Sequence, residues 1–193
     1  MKVRGDLARE ETDMRIGIAG VGRMGTAIAE RLIGEGHELL AWNRSAGKVD
    51  ALAAKGAIAC PSPKALAGSA EAILTILTNA EAIEAVYDGT DGLLSDRLGG
   101  KLVVDMSTVR PETERALAER VRAKGAAFVE CPVGGTVAPA KDGKLLGFAG
   151  GETADVERAR PILDALCRRL EHVGPVGAGS SVATTTDDSL GRF

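Results

Sequence analysis

Three glycines with the spacing G-x-G-x-x-G (Gly20, Gly22 and Gly25) close the stretch IGIAGVGRMG, Ile16 to Gly25. Each suits a different role. Gly20 allows a tight turn, Gly22 a close approach of backbone to a pyrophosphate, and Gly25 tight packing of helix on strand. Val21, Arg23 and Met24 fill the intervening positions. The amides of this stretch would face phosphates at the positive end of a helix beginning near Met24. The spacing alone is weak evidence, and it gains weight only with a strand before it, a helix after it and a second strand beyond.

The end of that second strand selects between dinucleotides. ELLAW, Glu38 to Trp42, runs into Asn43-Arg44-Ser45. A carboxylate there would accept from a ribose 2′-OH and repel a 2′-phosphate. Arg44 would instead attract the phosphate and can hold it with its planar fork, with Ser45 and Lys48 as further donors. The sequence thus predicts NADP (NADPH) in preference to NAD; a solvated arginine in a turn is the alternative.

Two later segments would reach the same end of the sheet. In DMSTVRP, Ser107 and Thr108 either donate to a ligand or cap the helix that starts near Pro111. In PVGGT, Gly134 and Gly135 either expose amides that cradle a carboxylate or simply make a tight connection.

The elements that must position these residues alternate along the chain. Strands are predicted at RIGIA (Arg15–Ala19), ELLAW, AIAC (Ala57–Cys60), EAILTIL (Glu71–Leu77), KLVVDM (Lys101–Met106) and AAFVE (Ala126–Glu130). Helical patterns follow most of them, and a Gly/Pro-rich loop then leads to LLGFAGG, a helix over Ala154–Leu166 and the strand RLEHV. This rhythm implies βαβ units: one doubly wound α/β domain of Rossmann type with a parallel sheet. We divide the chain into a disordered charged leader (1–13), an NADP-binding domain (14–176) and a polar tail (177–193) without helical periodicity.

Composition excludes several classes. The net charge of −3 comes with no basic stripe, which argues against nucleic acid. No apolar run reaches the ~18 residues of a membrane helix. Cys60, Cys131 and Cys167 share no metal-like spacing and read as reduced thiols of a cytoplasmic protein. His37 and His172 read as ordinary turn or strand-edge residues.

Taken in order, GVGRMG, WNRS, DMSTVRP and CPVGGTVAPAKDGKLLGFAGG resemble the β-hydroxyacid dehydrogenases, the group of 3-hydroxyisobutyrate dehydrogenase, whose nucleotide domain is shared with 6-phosphogluconate dehydrogenase. The resemblance implies an oxidoreductase that interconverts a β-hydroxyacid and its semialdehyde by hydride transfer. It places Gly20 to Gly25 at the pyrophosphate and Asn43, Arg44 and Ser45 at the NADP-type segment. Leu77 and Thr78 line the cofactor path, where the family has Leu-Pro; Ser107 and Thr108 lie beside the nicotinamide. Gly134 and Gly135 match a substrate-cradling S-G-G loop, with Gly134 replacing its serine. The family's catalytic lysine falls at Ala183, so the resemblance implies no catalytic residue here. It also implies an all-helical second domain that this sequence lacks, as in a truncated chain. Full-length relatives form homo-oligomers, and this chain alone is expected to self-associate. The other expectation is a nucleotide-binding module that holds NADP without turnover.

Overall fold

The computed structural model describes residues 14–190, with side chains to residue 185, so the predicted leader lies outside the described residues. Nine strands form one sheet: β1 (Arg15–Ala19), β2 (Glu38–Trp42), β3 (Ile58–Ala59), β4 (Ala72–Thr75), β5 (Leu102–Asp105), β6 (Ala127–Glu130), β7 (Val133–Gly134), β8 (Leu145–Gly151) and β9 (Cys167–Gly174). Their order is β3-β2-β1-β4-β5-β6-β8-β7, with β9 paired to β8. β1 to β6 run parallel, as expected, while β8 turns back antiparallel to both β6 and β7.

The helices are α1 (Arg23–Gly34), α2 (Gly47–Ala53), α3 (Pro63–Ser69), α4 (Ala80–Asp88), α5 (Pro111–Ala123), α6 (Val137–Lys141), α7 (Thr153–Leu166) and α8 (Ala178–Leu190). Strands buried on both faces alternate their side chains between two cores. Leu74, Val104 and Val129 meet Ile28 and Leu32 of α1 and Ile162 and Leu163 of α7 on one face. Ile73, Val103 and Phe128 meet Leu66 of α3, Ile83 and Tyr87 of α4 and Leu117 and Val121 of α5 on the other. Among the described residues Ile58, on the edge strand β3, is the exposed large apolar side chain.

Three segments differ from expectation. α3 has no counterpart among the predicted elements; Ser62 caps it, its hydroxyl accepting from Ala65 N–H at 3.1 Å, and Pro63 supplies the first turn. The Gly/Pro-rich loop holds β7 and the short α6. The tail predicted to lack helical pattern is corrected: residues 178–190 form α8. Periodicity misses it because its hydroxyls bond inward along the helix. Ser181 Oγ donates to Gly177 C=O, and Thr184 and Thr185 bond back to the carbonyls of Ser180 and Ser181.

Candidate functional site

The loops leaving the C-terminal ends of β1, β2, β4, β5 and β6 converge on one edge of the sheet, the place where open α/β sheets bind ligands. At the first of them, Gly20 has φ +105°, and a Cβ there would lie 2.2 Å from Ile76 O. A Cβ on Gly25 would lie 2.0 Å from Gly20 O, so the helix sits directly on the turn. Gly22 is different: a Cβ there would meet nothing within 4 Å, so the space before it is open. Gly22 caps α1 with no side-chain hydrogen bond, and the first turn of α1 holds no acidic residue. Its leading amides and positive dipole end are left to an anion, which fits a pyrophosphate.

The second strand end is tied to this loop. Val21 N–H donates to Asn43 Oδ1 at 3.0 Å, and Asn43 Nδ2 donates to Ser45 C=O at 3.2 Å. Asn43 therefore ties the end of β2 to the phosphate loop. Arg44 beside it is exposed and has no hydrogen bond or ion pair among the described residues, as is true of Arg23 at the start of α1.

β4 and β5 end in a second clasp. Ser107 is buried; its amide donates to Asp105 Oδ1 at 2.7 Å, and its hydroxyl accepts from Leu77 N–H at 2.9 Å. Neither Ser107 nor Thr108 caps α5, whose cap is Arg110 with no side-chain bond. Thr78 and Thr108 stand exposed on the two linked loops, and Leu77 is half-buried between them and the core.

Beneath these loops lies a buried polar row. Thr75, Asp105 and Glu130 are register partners on β4, β5 and β6. Thr75 Oγ1 donates to Asp105 Oδ2 at 2.6 Å and shares a 2.7 Å bond with the Tyr87 hydroxyl. Burial raises Asp105, against the hydrogen bonds from Thr75 and Ser107, and pushes the Tyr87 phenol well up. Glu130 accepts four bonds from the start of α8: Gly177 N at 2.5 Å, Gly179 N at 2.9 Å, Ser180 N at 3.3 Å and Ser180 Oγ at 2.6 Å. Sequence reasoning did not single out Asp105 or Glu130. The available signal was a carboxylate closing an otherwise apolar strand in LVVD and AFVE.

Gly134 lies in β7, and Gly135 follows with φ +134°, a conformation that orients successive amides differently from an extended strand. A Cβ on Gly134 would make only ordinary contacts, the nearest at 3.7 Å from Leu146 Cβ, so a serine would fit. This loop faces the phosphate loop across a cavity of about 410 Å³ lined by Arg23, Met24, Thr136, Val137 and Ala138. Glu30 of α1 holds the far end of that segment, accepting from Lys141 at 3.0 Å and from Lys55 at 2.5 Å. These two hydrogen bonds hold Glu30 below the usual carboxylate range. Lys144 pairs with Asp142 at 3.2 Å, so both lysines of this segment are engaged.

Ala183 lies in α8 and carries no titratable group. The structure therefore brings together the phosphate loop, Asn43–Ser45, Leu77–Thr78, Ser107–Thr108 and the 134–138 segment along one edge. Among the described residues no three His, Cys, Asp or Glu side chains form a metal site, and no helix is long and apolar enough to cross a membrane.

Comparison with known proteins agrees with this geometry. The chain is 34% identical over 181 residues to 2-(hydroxymethyl)glutarate dehydrogenase of Eubacterium barkeri, covering 94% of this chain and 60% of that protein. Its fold matches the solved Mycobacterium tuberculosis 3-hydroxyisobutyrate dehydrogenase with L-serine at a TM-score of 0.87 and 26% identity, over 92% of this chain and 60% of that one. It matches Psf3 in complex with NADP+ and 2-OPP at 0.86 and 32% identity, over 90% and 62%. The chain thus spans about 60% of the length of these relatives, two of which are named dehydrogenases. Residues 15–174 match the family described as the NAD binding domain of 6-phosphogluconate dehydrogenase, and with the doubly wound sheet and the glycine loop in place, the chain belongs to that family.

Proposed function

We propose that the chain is the NADP-binding portion of an oxidoreductase that interconverts a β-hydroxyacid and its semialdehyde. The observation that carries the cofactor choice is Arg44. It is exposed, without a partner among the described residues, and placed by the Asn43–Val21 bond directly beside the phosphate loop. A 2′-phosphate there would gain a charge-assisted contact worth ~1.5–3 kcal/mol, or roughly ten- to a hundredfold in affinity. Calorimetry with NADPH and NADH on the wild type and on Arg44→Asp tests this. We expect NADPH to bind more tightly to the wild type and the preference to disappear or reverse in the variant; equal wild-type affinities would reject the assignment.

Bound NADPH supplies the hydride. The chain's own residues hold and orient: the leading amides of the 22–25 turn take the pyrophosphate, while the Gly20 and Val21 amides, bonded to Trp42 C=O and Asn43 Oδ1, hold the loop in shape, and the Ser107–Leu77 bond fixes the two loops flanking the nicotinamide path. Thr78 and Thr108 line that path, and the backbone at Gly134 and Gly135 receives the acid group of the substrate. The buried free thiols Cys131 and Cys167, both raised by burial, suit a reducing cytoplasmic setting.

A second reading has its own support. Reduction of an aldehyde needs a proton for the developing alkoxide, and positioned acid catalysis typically contributes ~10²–10⁴-fold. Ala183 offers none, and Lys141 and Lys144 are paired elsewhere. By itself the chain then holds NADP without turnover, which a cofactor titration run beside an activity assay distinguishes.

A further inference from the structure

Cys131 and Cys167 take no part in the nucleotide site and are far apart in sequence, yet the fold aims both at one place. Cys131 follows β6 and Cys167 opens β9, and β8 runs between them. The β8 residue beneath both thiols is Gly147, which pairs with Val133 on one side and Leu170 on the other. A Cβ on Gly147 would lie 2.9 Å from Cys167 Sγ and 3.2 Å from Cys131 Sγ. The two sulfurs therefore fill the space that the glycine leaves, and no more than the sum of those distances separates them. Both thiols are free and buried, in the same apolar core as Leu145 and Ala149.

A direct disulfide does not suit this arrangement. Residues flanking a central strand are two strand spacings apart, roughly 9.6 Å at Cα, whereas a disulfide needs Cα atoms within about 7 Å. A single atom between the sulfurs does fit. Two metal–thiolate bonds of about 2.3 Å each, laid end to end, span less than the largest separation the geometry allows.

The surroundings select the ion. Thiolates favour soft metals, and a tetrahedral ion such as zinc lacks its other two ligands here. Among the described residues no three His, Cys, Asp or Glu side chains form a metal site, and Glu130, next to Cys131 in the chain, has both oxygens bonded to α8. Two thiolates carry two negative charges, and a divalent ion cancels them. The neutral product avoids the cost of leaving a net charge in an apolar core. Access comes from the sheet edge, since β9 pairs with β8 alone and Cys167, at its start, is 7% exposed.

We propose that Cys131 and Cys167 form a two-coordinate site for a soft divalent cation that favours linear thiolate ligation, with mercury(II) as the probe. Binding exchanges two S–H bonds for two S–metal bonds and releases two protons; nothing is oxidised or reduced. The bridge pins the edge strand β9 to the segment that leads from β6 into Pro132–Gly135.

The test is native mass spectrometry of the full chain carrying Cys60→Ser, in which Cys131 and Cys167 are the remaining thiols. It receives one equivalent of mercury(II) chloride and then about a hundredfold excess of 2-mercaptoethanol. Joining two donors in one fold typically multiplies affinity by about 10²–10⁴, so the site should outlast the monothiol. We expect one mercury per chain with the loss of two protons, and at least tenfold lower retention when Cys131→Ser or Cys167→Ser is added. Mercury stripped by the monothiol, mercury held with the loss of one proton, or equal retention after either added substitution overturns the proposal. Should the added substitutions prevent folding, the Cys60→Ser chain decides alone, because two protons can be lost to one mercury there only through the two thiols together.

Discussion

Asn43 Oδ1 accepts the Val21 N–H at 3.0 Å, so the end of β2 and the phosphate loop after β1 form one rigid unit. Removing the acceptor in Asn43→Ala leaves a part-buried amide unpaired, at a typical cost of ~1–3 kcal/mol. We expect NADPH affinity to fall about five- to tenfold, with the circular dichroism spectrum unchanged. Asn43→Asp keeps the acceptor but adds a charge beside the proposed 2′-phosphate, so its calorimetric preference should move toward NADH. An unchanged NADPH:NADH ratio in Asn43→Asp would speak against the placement of the 2′-phosphate.

The glycines should separate folding from binding. A Cβ on Gly25 meets Gly20 O at 2.0 Å, a backbone atom that cannot rotate away, whereas one on Gly22 meets nothing. Gly25→Ala should therefore lower the thermal midpoint by many degrees, since overpacking typically costs ~1–3 kcal/mol or more. Gly22→Ala should melt like the wild type yet lose most of its NADPH affinity. Equal loss of stability in both variants would contradict this division of roles.

Stability should fall with rising pH because of Glu114, which is buried on α5 with neither carboxyl oxygen bonded. Its folded value of about 10, raised by burial, lies above its unfolded one, so the folded protein retains a proton that the unfolded chain releases. The contribution is fully present below the unfolded value and is lost as pH climbs toward 10, at up to about 1.4 kcal/mol per unit. Urea midpoints across this range should decline more steeply for the wild type than for Glu114→Gln, and the variant should be the more stable of the two at pH above neutrality.

Glu130→Gln should detach α8 while sparing the nucleotide loop. Four donors reach the two Glu130 oxygens; glutamine keeps one oxygen and turns an NH₂ toward the Ser180 amide and hydroxyl. Proteolysis within residues 178–185 should accelerate at least tenfold, and NADPH titration should change little. Wild-type resistance in the variant would show that the four bonds contribute nothing.

The chain alone should oxidise NADPH at a negligible rate with succinic, tartronate and methylmalonate semialdehydes or glyoxylate. Ala183 provides no proton donor, and the nearby lysines are paired. Turnover within the usual enzymatic range of ~1–10³ s⁻¹ on any of them would reveal a donor outside the residues named here.

The parallel sheet was legible in the sequence because each strand, such as LVVD or AILT, is a short apolar run between turn signals. The phosphate loop was legible for the same reason, since strand, glycines and helix occur in one unbroken segment. Three things were not. The antiparallel course of β8 depends on how LLGFAGG returns after α6, a long-range matter on which local period is silent. α8 hides behind hydroxyls that satisfy carbonyls within the helix. The role of Asn43 as a tie between β2 and the phosphate loop depends on a partner 22 residues earlier, which spacing alone does not reveal.

The row Thr75–Asp105–Glu130 also bears on how the strands find their alignment. Sheets buried on both faces by aliphatic side chains discriminate poorly between neighbouring registers, since one valine packs much like another. A slip of β5 by one residue would send the Asp105 carboxylate to the opposite face, among Leu74 of β4 and Val129 of β6, far from the Thr75 hydroxyl that now donates to it at 2.6 Å. The misaligned sheet would bury a carboxylate without donors, several kcal/mol worse than the native one by typical desolvation costs. A few acidic side chains thereby act as an error-correcting code for a sheet whose hydrophobic text is nearly repetitive.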